Sequence, residues 1–277
     1  GDYETHACFT PSGDTVYFLK CKPDLTACAI CVSYKKKNNW SPPSIVPFSG
    51  KYLDVDPFVT KDGAALYFVS DRPVSSNDSL NASWDIWKTE LKNGRWQDPV
   101  HLDAPVNSAA NEYYPTVSDK GTLVFGSSRK GGKGGADIYR AELVNGRYTH
   151  IENLGDSINT PENEYEAFIA PDEQYLIFMA THPNGLDNAD FYISYKINTG
   201  WTKARKLDAP LNSPATEWAP KVTRDGRYFY FGSTRSRGAP VPGQPQDFRG
   251  FQHRIHQPGN GLGDIYSIES NTLHLKN

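Results

Sequence analysis

The sequence repeats itself five times, and this repetition limits the possible folds more than any other feature. Each repeat opens with an acidic residue, and successive openers are roughly 50 to 60 residues apart. A turn and a β-rich run with a phenylalanine at a fixed place follow. The openers are Glu4, Asp54, Glu112, Glu164 and Glu217, and the phenylalanines are Phe18, Phe68, Phe125, Phe178 and Phe231. Such a chain builds one structural unit several times and stacks the copies.

Each repeat carries the signals of four short strands separated by turns. An aspartate precedes a third, aromatic strand in four repeats, at Asp85, Asp137, Asp190 and Asp264. An aromatic residue then leads the fourth strand, at Trp40, Trp96, Tyr148 and Trp201. Apolar and polar residues alternate in the second strands, and no long window has a helical period. Four-stranded sheets repeated at this interval are typical of a β-propeller.

We therefore predict an all-β fold with a single β-propeller domain of five four-stranded blades. The blades cover approximately residues 1–50, 51–108, 109–160, 161–213 and 214–277. The last repeat is short, and residues 272–275 are the candidate for its outer strand. The ring would have six blades if a further blade is completed outside this chain.

The repeat resembles that of the TolB-type β-propeller proteins. The fullest copy runs from Asn111-Glu112-Tyr113-Tyr114-Pro115 through Ser127-Ser128-Arg129 to Asp137-Ile138-Tyr139, and the resemblance covers essentially the whole chain. It implies a bacterial exported protein in the periplasm or outside the cell, and the same repeat occurs in propeller domains attached to hydrolases. We expect the mature form, without its signal peptide.

Composition excludes two classes of function. The chain has 29 basic and 32 acidic residues and a net charge of −3, whereas a nucleic-acid binder shows a basic stripe. No apolar run is long enough to span a membrane. We expect a monomer whose partner is a glycan, a peptide or an envelope protein.

The four cysteines all lie near the start of the chain, at Cys8, Cys21, Cys28 and Cys31. Cys21 and Cys28 flank a short segment and can face each other across a hairpin, which would allow a disulfide. Free thiols and a metal site remain as alternatives, although the spacing is poor for zinc. A disulfide would indicate an oxidising compartment.

The acidic openers are the first candidate site. If each begins an innermost strand, their carboxylates gather near one mouth of the channel, where Asp54, Glu112, Glu164 and Glu217 could hold Ca²⁺. Glu4, Asp56, Glu164 and Glu166 are candidates for acid–base catalysis. The structural alternative is a set of ion pairs, because Arg72, Arg129 and Arg235 recur at the end of the second strand in repeats two, three and five.

The parts that break the repeat are the second source of candidates. The loop over 236–263 is far longer than its counterparts, and such loops are usually functional or disordered. Trp84 and Trp218 fall outside the repeated aromatic positions and could stack on a sugar. The candidate ligand-binding residues are His6, Trp84, Trp218, Arg249, His253, Arg254 and His256.

Two functions follow from these candidates. The first is an exported, non-catalytic binding module that uses the channel mouth and the 236–263 loop to hold a ligand or a protein. The alternative is a hydrolase or lyase acting on carbohydrates or esters, with the channel carboxylates as acid and base and Ca²⁺ as a candidate cofactor. A carboxylate that no arginine neutralises would favour the enzyme, and exposed aromatic rings near the channel would favour the binding module.

Overall fold

The computed structural model describes residues 3–37, 39–75, 83–182, 185–236, 247–255, 259–260 and 262–273. These residues form five antiparallel sheets that follow one another along the chain. In each sheet the first three strands pair in sequence order. Their bounds are Tyr3–Phe9, Thr15–Cys21 and Cys28–Lys36 (β1–β3); Asp54–Val59, Ala65–Ser70 and Asp85–Lys92 (β6–β8); Glu112–Val117, Leu123–Ser127 and Asp137–Val144 (β11–β13); Glu164–Ile169, Tyr175–His182 and Gly185–Ile197 (β15–β17); and Glu217–Val222, Tyr228–Ser233 and Asp264–Glu269 (β20–β22).

The outer strand of a blade is short and usually broken in two. It consists of Asn39–Trp40 and Ser44–Ile45 (β4, β5), Arg95–Trp96 and Val100–His101 (β9, β10), the continuous Arg147–Asn153 (β14), and Gly200–Trp201 and Arg205–Lys206 (β18, β19). Each piece pairs with the third strand of its own blade. The sheets and their order confirm the predicted all-β propeller with five blades.

The fifth blade differs from the prediction at its outer edge. Its described residues form three strands, and Ser270–Leu273 is a 3-10 helix instead of the start of an outer strand. Ser270 turns the chain away, because its N–H donates to the Arg227 carbonyl at 2.9 Å and its hydroxyl donates to the Gly226 carbonyl. Residues 274 and 275 of the expected strand lie outside the described residues.

The long loop of the fifth blade contains a helix that the sequence did not predict. The helix α1 covers Phe248–Ile255. Asp247 caps it, because its Oδ1 accepts the Gly250 N–H at 2.7 Å and so satisfies one free donor of the first turn. An isolated bridge between Ser236 and Asn260 ties the base of this loop.

The five inner strands, β1, β6, β11, β15 and β20, line the ring axis, and each contacts the inner strand of the next blade. The ring closes where β1 packs against β20, β21 and β22. There the Glu4 N–H donates to the Gly263 carbonyl at 2.9 Å. The repeated phenylalanines fill the space between blades: Phe68, Phe125, Phe178 and Phe231 are buried. No described helix has the length and apolarity needed to cross a membrane.

The first blade contains a disulfide between Cys21 and Cys28, which face each other across the β2–β3 hairpin. Cys8 and Cys31 are free and buried. Of the alternatives for the cysteines, the structure therefore contains the Cys21–Cys28 disulfide that their spacing allowed.

Replacing both Cys21 and Cys28 with serine should lower the free energy of unfolding by about 2–3 kcal/mol, because the cross-link closes a short loop in the unfolded chain. Urea unfolding of wild type and variant checks this. A reducing agent should bring wild type to the midpoint of the variant and leave the variant unchanged. Equal midpoints under oxidising conditions would contradict the prediction.

Candidate functional site

A bulge at the same place in every inner strand creates the candidate site. In each blade, the register between the inner strand and the second strand shifts near the start of the inner strand. The shift follows the second residue of β6, β11, β15 and β20 and the third residue of β1. At the shift the backbone takes a positive φ, between 46° and 56°, at His6, Asp56, Tyr114, Glu166 and Ala219. Bulges of this kind bend the strand and re-aim a side chain. We call these five positions the axial layer.

Three side chains of the axial layer meet across the ring. His6 Nε2 lies 3.1 Å from Asp56 Oδ1 and 3.2 Å from Glu166 Oε1. The three residues come from blades one, two and four, and all three side chains are largely buried. A ring nitrogen flanked by two carboxylate oxygens carries its hydrogen and donates it to them. The second nitrogen, Nδ1, has no hydrogen-bond partner within the described part of the chain.

Backbone groups of the axial layer hold the two carboxylates in place. The Tyr114 N–H donates to Asp56 Oδ2 at 2.9 Å, and the Ala219 N–H donates to Glu166 Oε2 at 2.5 Å. Burial raises the pKa of Asp56, while the neighbouring His6 acts in the opposite direction. No arginine is among the partners of either carboxylate in the described residues.

Tyr114 and Lys221 lie with this cluster and were not identified from the sequence. Tyr114 is fully buried and crosses the ring, since its hydroxyl donates to the Pro220 carbonyl at 3.1 Å. Lys221 Nζ lies 4.3 Å from the centre of the Tyr114 ring. A lysine after the apolar run Trp218-Ala219-Pro220 of an inner strand was the available signal, because a buried charge needs a reason.

The acidic openers do not gather in the channel. Each is held at its own blade junction, and three of them have the same partners: a serine at the end of the second strand and the following arginine. Asp54 accepts hydrogen bonds from Ser70 and Arg72, Glu112 from Ser127 and Arg129, and Glu217 from Ser233 and Arg235. Each arginine also donates to a carbonyl of the preceding connector, at Phe48, Val106 or Leu211. This is the ion-pair arrangement that the sequence offered as the structural alternative.

The other two openers have different partners. Glu4 forms an ion pair with Lys20 at 3.1 Å and is partly exposed. Glu164 is completely buried, and its carboxylate accepts hydrogen bonds from the hydroxyl and the N–H of Thr160 at 2.5 and 3.0 Å. No basic side chain described in the structure pairs with Glu164, and burial raises its pKa from 4.5 to about 7.

The candidate metal ligands Asp54, Glu112, Glu164 and Glu217 therefore sit in four separate junctions. Among the described residues, no group of three or more histidine, cysteine, aspartate or glutamate side chains is arranged to hold a metal ion. Of the four acid–base candidates, the structure brings together Asp56 and Glu166, with His6 between them, and leaves Glu4 and Glu164 apart from them.

Aromatic side chains surround the upper face, which we define as the end of the ring where the inner strands begin. Tyr113 makes edge contacts with Tyr165 and Trp84, at centroid distances of 5.7 and 6.2 Å. Tyr3 stacks on Trp218 at 5.7 Å. The Trp218 indole packs directly against Gly232, and a side chain at residue 232 would collide with the indole nitrogen. The predicted Trp84 and Trp218 thus belong to one aromatic rim, with Trp84 half-exposed and Trp218 buried.

The 236–263 loop starts and ends on this upper face, but its predicted ligand residues form no described contact with the axial layer. Arg249 is exposed on α1. His253 and Arg254 lie on the same helix, and their side chains are outside the described part of the structure. His256 lies outside the described residues altogether.

The lower end of the ring is bridged by turns. Arg224 of the fifth blade forms a bidentate ion pair with Asp119 of the third blade, and Lys61 of the second blade donates to the Asp119 carbonyl at 2.6 Å. Beside this bridge lies a cleft of 1180 Å³ between blades four and five, lined by Tyr175 and Tyr228 among others. None of the predicted site residues lines this cleft.

Glu164→Gln should remove a fall in stability that wild type shows as the pH rises. The folded state keeps the Glu164 proton up to about pH 7, whereas the unfolded state releases it near pH 4.5. The folded state therefore binds more protons inside this window, and the free energy of unfolding falls as pH increases through it. Between pH 4.5 and 8, wild type should lose as much as about 3 kcal/mol more than Glu164→Gln.

The matched control is Glu112→Gln, at the same repeat position. This change leaves Arg129 without its carboxylate and should lower stability by about 3 kcal/mol at pH 8. Urea unfolding of the three proteins at pH 5 and pH 8 measures both effects. If Glu164→Gln keeps the wild-type dependence on pH, the raised pKa is not a property of the folded protein.

Comparisons with known proteins agree on the fold. No family model and no curated protein matches the sequence. Among solved structures, TolB from Acinetobacter baumannii matches with a TM-score of 0.54 and 17% identity over 83% of this chain and 49% of that one. A putative TolB from Agrobacterium tumefaciens matches with a TM-score of 0.54 and 15% identity over 89% and 74%. An α-L-arabinofuranosidase from Lactobacillus brevis reaches 0.57 with 14% identity over 97% and 90%.

This chain therefore spans about half the length of the first of these proteins. At such identities the likeness concerns the fold alone. Together with the five sheets and their closure, it shows that the chain is a TolB-like β-propeller with five blades.

Proposed function

We propose that this propeller is an exported, non-catalytic binding module that holds the end of a neutral glycan at its upper face. One observation carries the proposal: the side chains of the axial layer differ from blade to blade, and several of them meet across the ring. Four of its five side chains are polar, all five differ, and three of them form a single cluster.

The contrast with the openers supports a functional origin of this difference. All five openers are acidic and lie at blade junctions, so their recurrence follows from the repeated architecture. Two residues further along the same strands, the repeats carry histidine, aspartate, tyrosine, glutamate and alanine. A ring that needed these positions only for packing could use one side chain five times. An asymmetric ligand requires an asymmetric set of contacts.

The chemistry of the cluster favours hydroxyl groups as ligands. Asp56 and Glu166 place two carboxyl groups beside one imidazole, which disfavours anionic ligands such as acidic polysaccharides or nucleic acids. Carboxylates accept hydrogen bonds from sugar hydroxyls, and an imidazole N–H donates a hydrogen bond to them. The rim of Tyr113, Tyr165 and Trp84 offers the apolar ring faces on which a sugar can stack.

Export is part of the proposal and rests on two features. The Cys21–Cys28 disulfide is the kind of cross-link that persists in an oxidising compartment. The TolB-like fold is the second feature. We therefore propose that the protein works in the periplasm or outside the cell, with a glycan as its partner, or with a peptide or envelope protein if the glycan test fails.

Glycoside hydrolysis is the second candidate, and one distance favours it. Both carboxyl oxygens contact the same nitrogen, so they lie within about 6 Å of each other, close to the spacing of a catalytic pair in retaining glycosidases. The raised pKa of Asp56 would suit a general acid. The arabinofuranosidase likeness shows that a similar fold can carry such an activity.

Calorimetric titration with a panel of neutral oligosaccharides tests the binding proposal. At least one should bind to wild type, and the double variant Asp56→Asn with Glu166→Gln should weaken this binding by at least tenfold, or about 1.4 kcal/mol. The control is Asp98→Asn, which changes an exposed aspartate far from the axis and should leave affinity unchanged.

Product analysis of the same samples separates the two candidates. An unchanged oligosaccharide after prolonged incubation with wild type supports the binding module. Cleavage that the double variant abolishes would replace it with the hydrolase. Equal affinity of wild type and double variant would show that the axial layer is not the site.

A further inference from the structure

Lys221 is a buried amine that neither the fold nor the proposed glycan site uses. It is the fifth residue of β20, two residues after Ala219, and 1% of it is exposed. Its Nζ has no hydrogen-bond partner among the residues that the structure describes. Its closest described contact is the face of the Tyr114 ring, at 4.3 Å from the centroid.

The repeat shows that the fold does not require a lysine here. The equivalent residues of the other four inner strands are Cys8, Phe58, Thr116 and Phe168, none of which carries an amine. Phe58 and Phe168 are apolar, the Thr116 hydroxyl is hydrogen-bonded to the backbone of Ala167 and Ile169, and Cys8 is a buried thiol that accepts the Val59 N–H. A lysine at this place loses its hydration on folding without gaining an ion pair, which is costly.

The surroundings favour the neutral form of this amine. Burial lowers the pKa of Lys221, while electrostatic interactions with Cys8, Asp56 and Glu166 act in the opposite direction. The ring of Tyr114 and the cross-strand partner Tyr230 supply the low-polarity walls. A neutral amine keeps its lone pair and is a nucleophile, which is how buried lysines serve in imine chemistry.

We propose that Lys221 is a nucleophile that forms an imine with a small aldehyde or ketone entering the channel from the upper face. Ala219, two residues before Lys221, contributes the smallest side chain of the axial layer. Lys221 and the Tyr114 ring beside it are both buried, so we limit the ligand to a few carbon atoms. This proposal does not depend on glycan binding.

The reaction needs no cofactor. Nζ of Lys221 adds to the carbonyl carbon, the carbonyl oxygen takes up a proton, and a carbinolamine forms. Loss of its hydroxyl group as water, with the nitrogen lone pair forming the C=N bond, gives the imine. We assign Asp56, whose charge acts on Lys221, to carry the two protons of the amine from nitrogen to the departing oxygen.

Reductive trapping tests the proposal on the folded protein. The probe is glycolaldehyde with cyanoborohydride at pH 6.5, where an ordinary exposed lysine is almost entirely protonated. Peptide mapping by mass spectrometry then compares Lys221 with Lys92, which is exposed and serves as an internal control. Lys221 should be alkylated at least tenfold faster than Lys92.

Two further measurements keep the result interpretable. In Lys221→Met the fast phase of labelling should vanish, and the thermal midpoint should not fall, because an apolar chain of similar length replaces an unpaired amine. In urea, Lys221 and Lys92 of wild type should react at equal rates, which shows that the peptide is detected. A folded protein in which Lys92 reacts and Lys221 does not would overturn the proposal, as would an unchanged fast phase in Lys221→Met.

Discussion

The buried carboxylate at four of the five blade junctions, from Asp54, Glu112, Glu164 or Glu217, is the interaction on which the ring depends. The opener of one blade accepts a hydrogen bond from the hydroxyl of the preceding connector, at Ser108, Thr160 or Ser213. Just before that hydroxyl, an asparagine of the connector pairs with the third strand of the previous blade: Asn107 with Ile86, Asn159 with Ile138 and Asn212 with Phe191. The connector, the blade before it and the blade after it are therefore joined at one point. The ring closes where β1 packs against β20 to β22 and the Glu4 N–H donates to the Gly263 carbonyl, and the junctions between the other blades are fixed by these connector contacts.

The repetition of these junctions explains how far the sequence could predict the structure. Strand order, blade number and the ion pairs of Arg72, Arg129 and Arg235 were readable because the repeat copies them. The axial layer was only partly readable. His6, Asp56 and Glu166 were noticed as neighbours of the openers, but the bulge that turns them toward the axis depends on backbone geometry with φ near 50°. Side chains that alternate along a regular strand give no sign of such a turn.

Other features could not be predicted from the sequence because they too depend on local backbone geometry. Tyr114 looks like one aromatic residue among many in this chain, and only its place in the bulge makes it cross the ring to Pro220. Lys221 follows the fifth bulge, so its distance to Tyr114 could not be deduced from spacing. The helix α1 is only eight residues long and is capped by one aspartate, which is too short a segment for periodicity to reveal. Residues 272 and 273 of the expected outer strand lie in a 3-10 helix instead, which begins at Ser270, where the hydroxyl donates to the Gly226 carbonyl.

Within each inner strand, the opener serves the stability of the fold, whereas the axial side chain two residues later belongs to the candidate site. Asp54, Glu112, Glu164 and Glu217 accept hydrogen bonds within their own junctions, so we expect their loss to damage the fold. Axial side chains contact each other across the ring, so a change there alters the site while the junctions stay intact. Because the turns around Asp119 and Arg224 bridge the lower end, any ligand of the axial layer is expected to enter from the upper face. There the aromatic rim and the long loops meet it first. Glu164 is where the two roles come closest: it is a junction carboxylate without an arginine, and its blade supplies Glu166 to the axial cluster.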